Sequence, residues 1–139
     1  MEVIRPYADA SNFVIKLNQP KEPVTAMLDG DMIRRVIINL LENALKYSPV
    51  GRQVEINVWQ EEQMLFFSVK DQGRGISAKD QKTVFERFMR ADLTAKQTKG
   101  LGLGLAFCKL AVEGHGGEVW VESQLDVGST FTFKIPINL

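Results

Sequence analysis

The chain has 139 residues, of which 17 are basic, 17 acidic and 45% hydrophobic. This size and composition predict one globular domain with a buried core, over residues 1–139. Zero formal charge argues against a nucleic-acid partner, and a single cysteine with a single histidine excludes an internal disulfide and a zinc site.

Apolar runs are interrupted by polar residues within about six positions, far short of the ~20 that span a bilayer. The N-terminus has no signal-peptide character. We therefore expect a cytoplasmic domain without direct membrane contact. Its abrupt start suggests a piece of a longer protein, with or without a membrane anchor.

The first third of the chain predicts a short helix over residues 3–11 and strands over Phe13–Leu17 and Val24–Leu28. Asp29 then supplies capping chemistry ahead of a long helix, Asp31–Ser48. In that helix apolar residues recur at three- and four-residue steps, which indicates one buried face.

The opposite face of this helix carries an unusual polar stripe. At about 100° per residue, Asn43, Lys46 and Glu42 all fall within about 60° of Asn39. Asparagine is a poor helix former, so a role in a functional site explains these residues better than helix propensity does. The alternative is a polar face that makes routine hydrogen bonds.

The remaining elements alternate between hairpins and helices. Their predicted order is a strand pair at Val54–Trp59 and Met64–Val69, a short helix from Ala78, a helix over Leu105–Glu113 with Gly114 as its stop, and a strand pair around residues 119–121 and 131–135. This order predicts an α+β fold with a layer of helices on one face of a sheet.

The first glycine motif is Asp71 followed by Gly73 and Gly75. Alternate glycines let the backbone turn sharply and let a flat ligand approach without Cβ atoms in the way. An aspartate at a strand end would accept a hydrogen bond from an exocyclic amine, which adenine has and guanine lacks at that position. A plain Asp-Gly turn is the alternative.

The second motif is the triplet Gly100, Gly102 and Gly104 just before a helix, with Lys96 and Lys99 upstream. Amide groups at a helix N-terminus make an anion site. The spacing fits neither a dinucleotide fingerprint nor a P-loop, and a flexible hinge is the alternative.

A Gly-Ser-Thr-Phe turn at 128–131 completes an ordered series. Together with the Asn-bearing helix, the Asp-x-Gly-x-Gly turn, the Phe-Glu-x-Phe segment and the Gly-x-Gly-x-Gly helix start, it resembles the N, G1, F, G2 and G3 boxes of sensor histidine kinase ATP-binding domains. The resemblance covers Ala8 to Pro136 and implies the Bergerat fold, a two-layer α/β sandwich whose sheet is mixed and mostly antiparallel.

For the helix, the resemblance implies that Asn43 is the magnesium ligand and that Asn39 lies near the phosphates. It also implies that Lys46 and Tyr47 contact phosphate and nucleotide. A magnesium ion prefers oxygen ligands and keeps several waters, so one amide oxygen plus phosphates is a credible site.

For the base, the resemblance implies that Asp71 binds the adenine amine and that Gly73, Gly75 and Ile76 shape the pocket. Thr130 corresponds to the position that backs the adenine.

The resemblance also implies a lid over the nucleotide. Phe85 and Phe88 would lie on either side of the start of this lid, and Arg90 or Lys99 would reach the γ-phosphate. Three glycines at its far end face the phosphates and two leucines border the nucleotide: Gly100, Gly102, Gly104, Leu101 and Leu103.

The resemblance implies a protein-histidine kinase that binds Mg-ATP and phosphorylates a histidine on a separate dimerisation domain, from which a response regulator takes the group. No autophosphorylation is expected here, because His115 lacks the acceptor context and is interpreted as structural. Two alternatives stay open: a serine/threonine kinase acting on an anti-anti-sigma-type protein, and a non-catalytic nucleotide-sensing module.

Overall fold

The structure, a computed structural model, describes residues 14–19, 29–47, 53–86 and 101–137. Five strands and three helices lie in these ranges, in the order β1 (Val14–Asn18), α1 (Gly30–Tyr47), β2 (Gln53–Glu61), β3 (Met64–Lys70), α2 (Ala78–Gln81), α3 (Leu101–Gly114), β4 (Glu118–Gln124) and β5 (Gly128–Pro136). The predicted helix at 3–11 and the predicted strand Val24–Leu28 lie outside the described residues.

The five strands form one sheet in the order β1-β2-β3-β5-β4. β1 runs parallel to β2, and all other neighbours are antiparallel. A parallel pair requires a crossover connection, and α1 lies in the connection between β1 and β2. The mixed, mostly antiparallel sheet of the predicted α+β sandwich is confirmed.

The core lies between one face of the sheet and the helices α1 and α3. Inward-facing residues alternate along β5, where Phe131, Phe133 and Ile135 are each at most 1% exposed. The rings of Phe67 and Phe133 stack with centroids 5.3 Å apart. Side chains from the helices complete this layer: Val36, Leu40, Leu41, Leu105 and Val112.

The predicted start of α3 was wrong. The helix begins at Leu101 rather than Leu105, so Gly102 and Gly104 lie inside it. A Cβ atom at position 104 would lie 3.7 Å from Cγ of Asn39. A distance of this size is an ordinary van der Waals contact, so the side chain of Asn39 packs against the first turn of α3.

The stop of α3 is Gly116, not Gly114. Gly116 has φ +80°, the left-handed conformation that glycine tolerates best. The amides of Gly116 and Gly117 donate to the carbonyls of Glu113 and Val112, at 2.9 and 3.0 Å. These two bonds form a Schellman motif, which satisfies carbonyls at the helix end.

His115 connects the end of α3 to the start of α1. Its Nδ1 lies 2.7 Å from the carbonyl oxygen of Ala111, and its Nε2 accepts the backbone N–H of Asp29 at 2.9 Å. Because a carbonyl only accepts, the proton sits on Nδ1 and Nε2 is the acceptor. Asp29 in turn caps α1 by accepting the N–H of Met32 at 3.1 Å.

Candidate functional site

A cavity of about 400 Å³ lies between α1, the turn after β3, the start of α3 and the β4–β5 turn at residues 125–127. Described residues from these four parts, from α2 and the segment after it, and from β5 line it: Asn43, Asp71, Arg74, Gly75, Ile76, Ser77, Asp80, Val84, Leu105, Leu125, Asp126, Ser129 and Phe131. The cavity thus brings Asn43 of the polar stripe together with Asp71 and Gly75 of the first glycine motif.

Asp71 is 5% exposed and lines the cavity at the end of β3. Its Oδ1 accepts the backbone N–H groups of Gly73 at 2.8 Å and Ser129 at 3.3 Å. Burial raises the pKa of this carboxyl, and the two backbone hydrogen bonds act in the opposite direction. These bonds fix the orientation of the carboxylate, which is an acceptor when ionised.

Two glycines allow the turn after β3 to lie against the β4–β5 hairpin. Gly75 has φ +77°, and a Cβ atom there would overlap the carbonyl oxygen of Gln124. Gly128 has φ +148°, and its Cβ would overlap the carbonyl oxygen of Asp71. The backbone N–H of Asp126 donates to the carbonyl of Arg74 at 2.8 Å. The floor of the cavity is therefore a composite of two loops that only glycine permits to meet.

Asn43 has the most informative side chain on α1. It lines the cavity, and its Oδ1 is the only side-chain N or O atom of the described residues that is buried and without a hydrogen-bond partner. A buried polar atom without a partner costs free energy, so such atoms are rare. An acceptor oxygen in this position fits a ligand that is a cation or a donor.

Asn39 lies one turn earlier and contacts α3. Its Nδ2 donates to the carbonyl of Gly104 at 3.5 Å, and the thiol of Cys108 on α3 donates to the carbonyl of Val36 on α1 at 3.8 Å. Cys108 is 0% exposed, and burial raises its pKa to about 12. Asn39 therefore joins the two helices beside the cavity.

Several predicted site residues lie beyond what the structure describes. The side chains of Lys46, Tyr47, Leu101 and Leu103 are outside it, as are four whole residues: Phe88, Arg90, Lys99 and Gly100. Gly102 and Gly104 lie in the first turn of α3. The ring of Phe85 meets that of Phe131 edge-on, with centroids 5.9 Å apart.

The strand β5 contributes Ser129 to the cavity, not the predicted Thr130. Ser129 and Phe131 both line the cavity, and successive side chains of a strand point to opposite faces, so Thr130 points away from it. The sequence held this signal, because Phe131, Phe133 and Ile135 mark the odd positions of β5 as the core face. Leu105, Leu125 and Asp126 also line the cavity, and the sequence pattern did not identify them.

No group of three or more His, Cys, Asp or Glu side chains that could hold a metal ion occurs among the described residues. No helix in the described ranges is long and apolar enough to cross a membrane.

Residues 28–139 match the family described as "Histidine kinase-, DNA gyrase B-, and HSP90-like ATPase". The chain belongs to this ATPase family. The cavity of the ATPase domain lies wholly within the matched residues.

Two curated relatives of this ATPase domain are named as a sensor histidine kinase and a sensor protein. This chain is 44% identical over 122 residues to the sensor histidine kinase WalK of Bacillus subtilis, and the match covers 86% of this chain and 20% of the relative. It is 39% identical over 129 residues to the sensor protein KdpD of Clostridium acetobutylicum, covering 92% and 14%. The chain therefore spans about a fifth or less of these two relatives.

Solved structures agree with this classification. The nucleotide-free catalytic domain of histidine kinase ThkA superposes with a TM-score of 0.83 at 27% identity, covering 99% of this chain and 91% of that one. Full-length ShkA in complex with AMPPNP gives a TM-score of 0.80 at 27% identity, covering 97% and 28%. The ATPase domain thus has the fold of the catalytic domains of sensor histidine kinases, and its sequence is similar to theirs.

Proposed function

We propose that this domain binds Mg-ATP in the described cavity and donates the γ-phosphoryl group to a histidine on the dimerisation domain of its parent kinase. A response regulator then takes the group from that histidine. The observation that carries the proposal is the pairing of an oriented carboxylate, Asp71, with an unpartnered amide oxygen, Asn43 Oδ1, in one cavity.

The base end of the cavity suits adenine. Asp71 is held by two backbone N–H groups on Oδ1, so its ionised carboxylate is aimed at the exocyclic amine as an acceptor. The apolar residues Val84, Leu105 and Phe131 line the same cavity and would contact the faces of the ring. Guanine would present a carbonyl oxygen to the carboxylate, which is unfavourable because both groups are acceptors.

The α1 end suits phosphates and a divalent cation. Asn43 Oδ1 supplies one hard oxygen ligand of the kind that Mg²⁺ prefers. When bound, the ion would neutralise phosphate charge. Lys46 lies on the same face of α1 by helical spacing, and we infer that it binds phosphate together with the lid cations Arg90 or Lys99. The first turn of α3 would add backbone N–H groups.

The proposed transfer is a displacement at the γ-phosphorus. The acceptor imidazole nitrogen forms the new P–N bond, the bond to the β,γ-bridging oxygen breaks, ADP leaves and the imidazole releases its N–H proton. This chemistry depends on positioning and charge neutralisation. Related ATPases of the gyrase and mismatch-repair type have a glutamate at the position of Asn39. The amide side chain of Asn39 therefore favours slow attack of water on ATP.

The direct test adds labelled ATP and a purified two-helix acceptor domain with its histidine. We expect acid-labile phosphate on that histidine and none when the histidine is replaced by alanine. Acid-stable phosphate would indicate a serine/threonine kinase instead. Nucleotide binding without transfer to any cognate acceptor would indicate a sensing module.

A further inference from the structure

The side chain of Ser123, on β4, connects the turn after β3 to the start of β5 in the cavity floor. Its Oγ accepts the backbone N–H of Ile76 at 2.7 Å and donates to the carbonyl of Gly128 at 2.9 Å. The same Oγ lies 2.7 Å from Oγ of Ser129, the residue opposite it on β5. Ile76 and Ser129 both line the cavity, so Ser123 contacts two of its lining residues.

The number of protons fixes the direction of these bonds. A serine hydroxyl has one proton and two acceptor lone pairs. The carbonyl of Gly128 only accepts, so the Ser123 proton is used there. The contact with Ser129 must then be an O–H from Ser129 to Ser123. Consequently the Ser129 hydroxyl has no proton left for the cavity and can only accept from a ligand.

We propose that Ser123 is a positioning residue for base selectivity: it orients the Ser129 hydroxyl so that Ser129 and Asp71 form a pair of acceptors facing the exocyclic amine of adenine. This inference rests on the proposed binding of an adenine nucleotide. Ser129 is held beside Asp71, since its backbone N–H donates to Asp71 Oδ1 and its carbonyl accepts from Asp71 N at 2.8 Å. A base with a carbonyl at position 6 faces two acceptors and is disfavoured.

The backbone of Ser123 is held as firmly as its side chain. Nε2 of Gln81 donates to the carbonyl of Ser123 at 3.1 Å and to the carbonyl of Ile76 at 2.8 Å. Gln81 lies at the end of α2, outside the lining of the cavity. The direction of the Ser129 hydroxyl is therefore set by groups away from the ligand.

The experiment compares the dissociation constants of ATP and ITP by calorimetry. ITP carries an oxygen at position 6 and an N–H at position 1, and is otherwise the same as ATP. In Ser123→Ala the Ser129 proton loses its acceptor and can turn into the cavity to donate. We expect the ATP-over-ITP preference to fall about three- to tenfold, the size of one ordinary hydrogen bond.

Two variants separate orientation from general loss of structure. Ser123→Thr keeps the hydroxyl on a residue that strands favour and should restore the preference. Ser68→Ala is the matched control, since Ser68 is a 4% exposed serine of β3 whose Oγ accepts from Asn57. It should leave the preference unchanged.

The double variant Ser123→Ala with Ser129→Ala gives the sharpest outcome. If Ser123 acts through Ser129, the double variant should lose no more preference than Ser129→Ala alone. An equal loss of ATP and ITP binding, with a lower Tm, would mean that Ser123 only supports the loops and would overturn the inference. Failure of the unaltered domain to bind either nucleotide would instead refute the proposed function.

Discussion

The Nε2 atom of His115 accepts the backbone N–H of Asp29 over 2.9 Å, although the two residues are 86 positions apart. Through this bond the C-terminal end of α3 holds the N-cap of α1. The two helices form the helical layer above the sheet, and each contributes a residue to the cavity, Leu105 and Asn43. The imidazole of His115 therefore links the two site helices at the ends away from the cavity.

We predict that His115→Ala lowers the free energy of unfolding by about 1–2 kcal/mol, because it removes one hydrogen bond at each ring nitrogen. The affinity for ATP should change less than twofold, since His115 does not line the cavity. Urea unfolding measures the first quantity and calorimetry the second. Glu113→Ala, at an exposed position of the same helix end, is the control and should be close to neutral. A large loss of affinity at unchanged stability would contradict this structural role.

Asp71→Asn should separate binding from stability. The variant amide keeps an oxygen for the N–H groups of Gly73 and Ser129 but presents a donor to the adenine amine. We expect a five- to hundredfold loss of ATP affinity, about 1–3 kcal/mol, by calorimetry. Unchanged affinity would remove Asp71 from the base site.

The stability of the same variant should depend on pH in a defined direction. Burial raises the pKa of Asp71 above its ordinary value of 3.8, so the folded state binds the proton more tightly than the unfolded chain. The stabilisation from this group is complete below pH 3.8 and is lost as the pH rises through the folded-state pKa. At pH 7, Asp71→Asn should therefore be at least as stable as the unaltered domain in urea. The measured quantity is the stability of Asp71→Asn minus that of the unaltered domain. If this difference were lower at pH 7 than at pH 4, the predicted direction would be contradicted.

Asn43→Ala should weaken ATP binding mainly when magnesium is present, because it removes the Oδ1 ligand. Titrations with MgCl₂ and with EDTA measure both conditions. The control is Asn39→Ala, whose side chain bonds to the carbonyl of Gly104 and should affect the two conditions alike. Equal losses for Asn43→Ala with and without the metal would refute its assignment as the ligand.

Gly75→Ala should destabilise the domain by about 2 kcal/mol or more. The new Cβ would meet the backbone of Gln124, and φ +77° is strained for alanine. Gly114→Ala is the matched control, because no atom lies within 4 Å of a Cβ there and alanine is the better helix former. It should be neutral or stabilising by up to about 1 kcal/mol in thermal unfolding. Similar effects of the two substitutions would argue against the close contact at Gly75.

Cys108 should resist thiol reagents in the folded state. It is 0% exposed and its thiol pKa is raised to about 12, whereas thiolate is the reactive form. We expect labelling at pH 8 to be slow in buffer and fast in urea, with a rate that follows unfolding. Rapid labelling in buffer would show that α3 separates readily from α1.

The sequence predicted the parts of the site that depend on local pattern. The apolar period of α1 placed Asn39 and Asn43 opposite the core, and both are partly exposed beside buried Leu40 and Leu41. Asp71 was predicted as a site residue from the glycines that follow it, and the structure places it in the lining of the cavity. Such features are local because helical spacing and turn chemistry involve only near neighbours.

The missed features depend on contacts between distant segments. Gly114 and Gly116 are equally plausible helix stops in the sequence. The left-handed φ of Gly116 and the bonds from Gly116 to Glu113 and from Gly117 to Val112 distinguish them. Leu125 has an apolar side chain in a turn, and its place beside the cavity follows from the bond between Asp126 and Arg74. Ser123 shows no motif at all, because its role comes from partners on three other segments.

The parallel pairing of β1 with β2 has a practical consequence for fragment boundaries. The family match begins at residue 28, yet β1 lies before it at Val14–Asn18. A fragment cut to the matched residues would leave β2 as a bare edge with a row of unsatisfied N–H and C=O groups, which promotes intermolecular strand addition. Such a fragment should aggregate at concentrations where the full chain stays monodisperse.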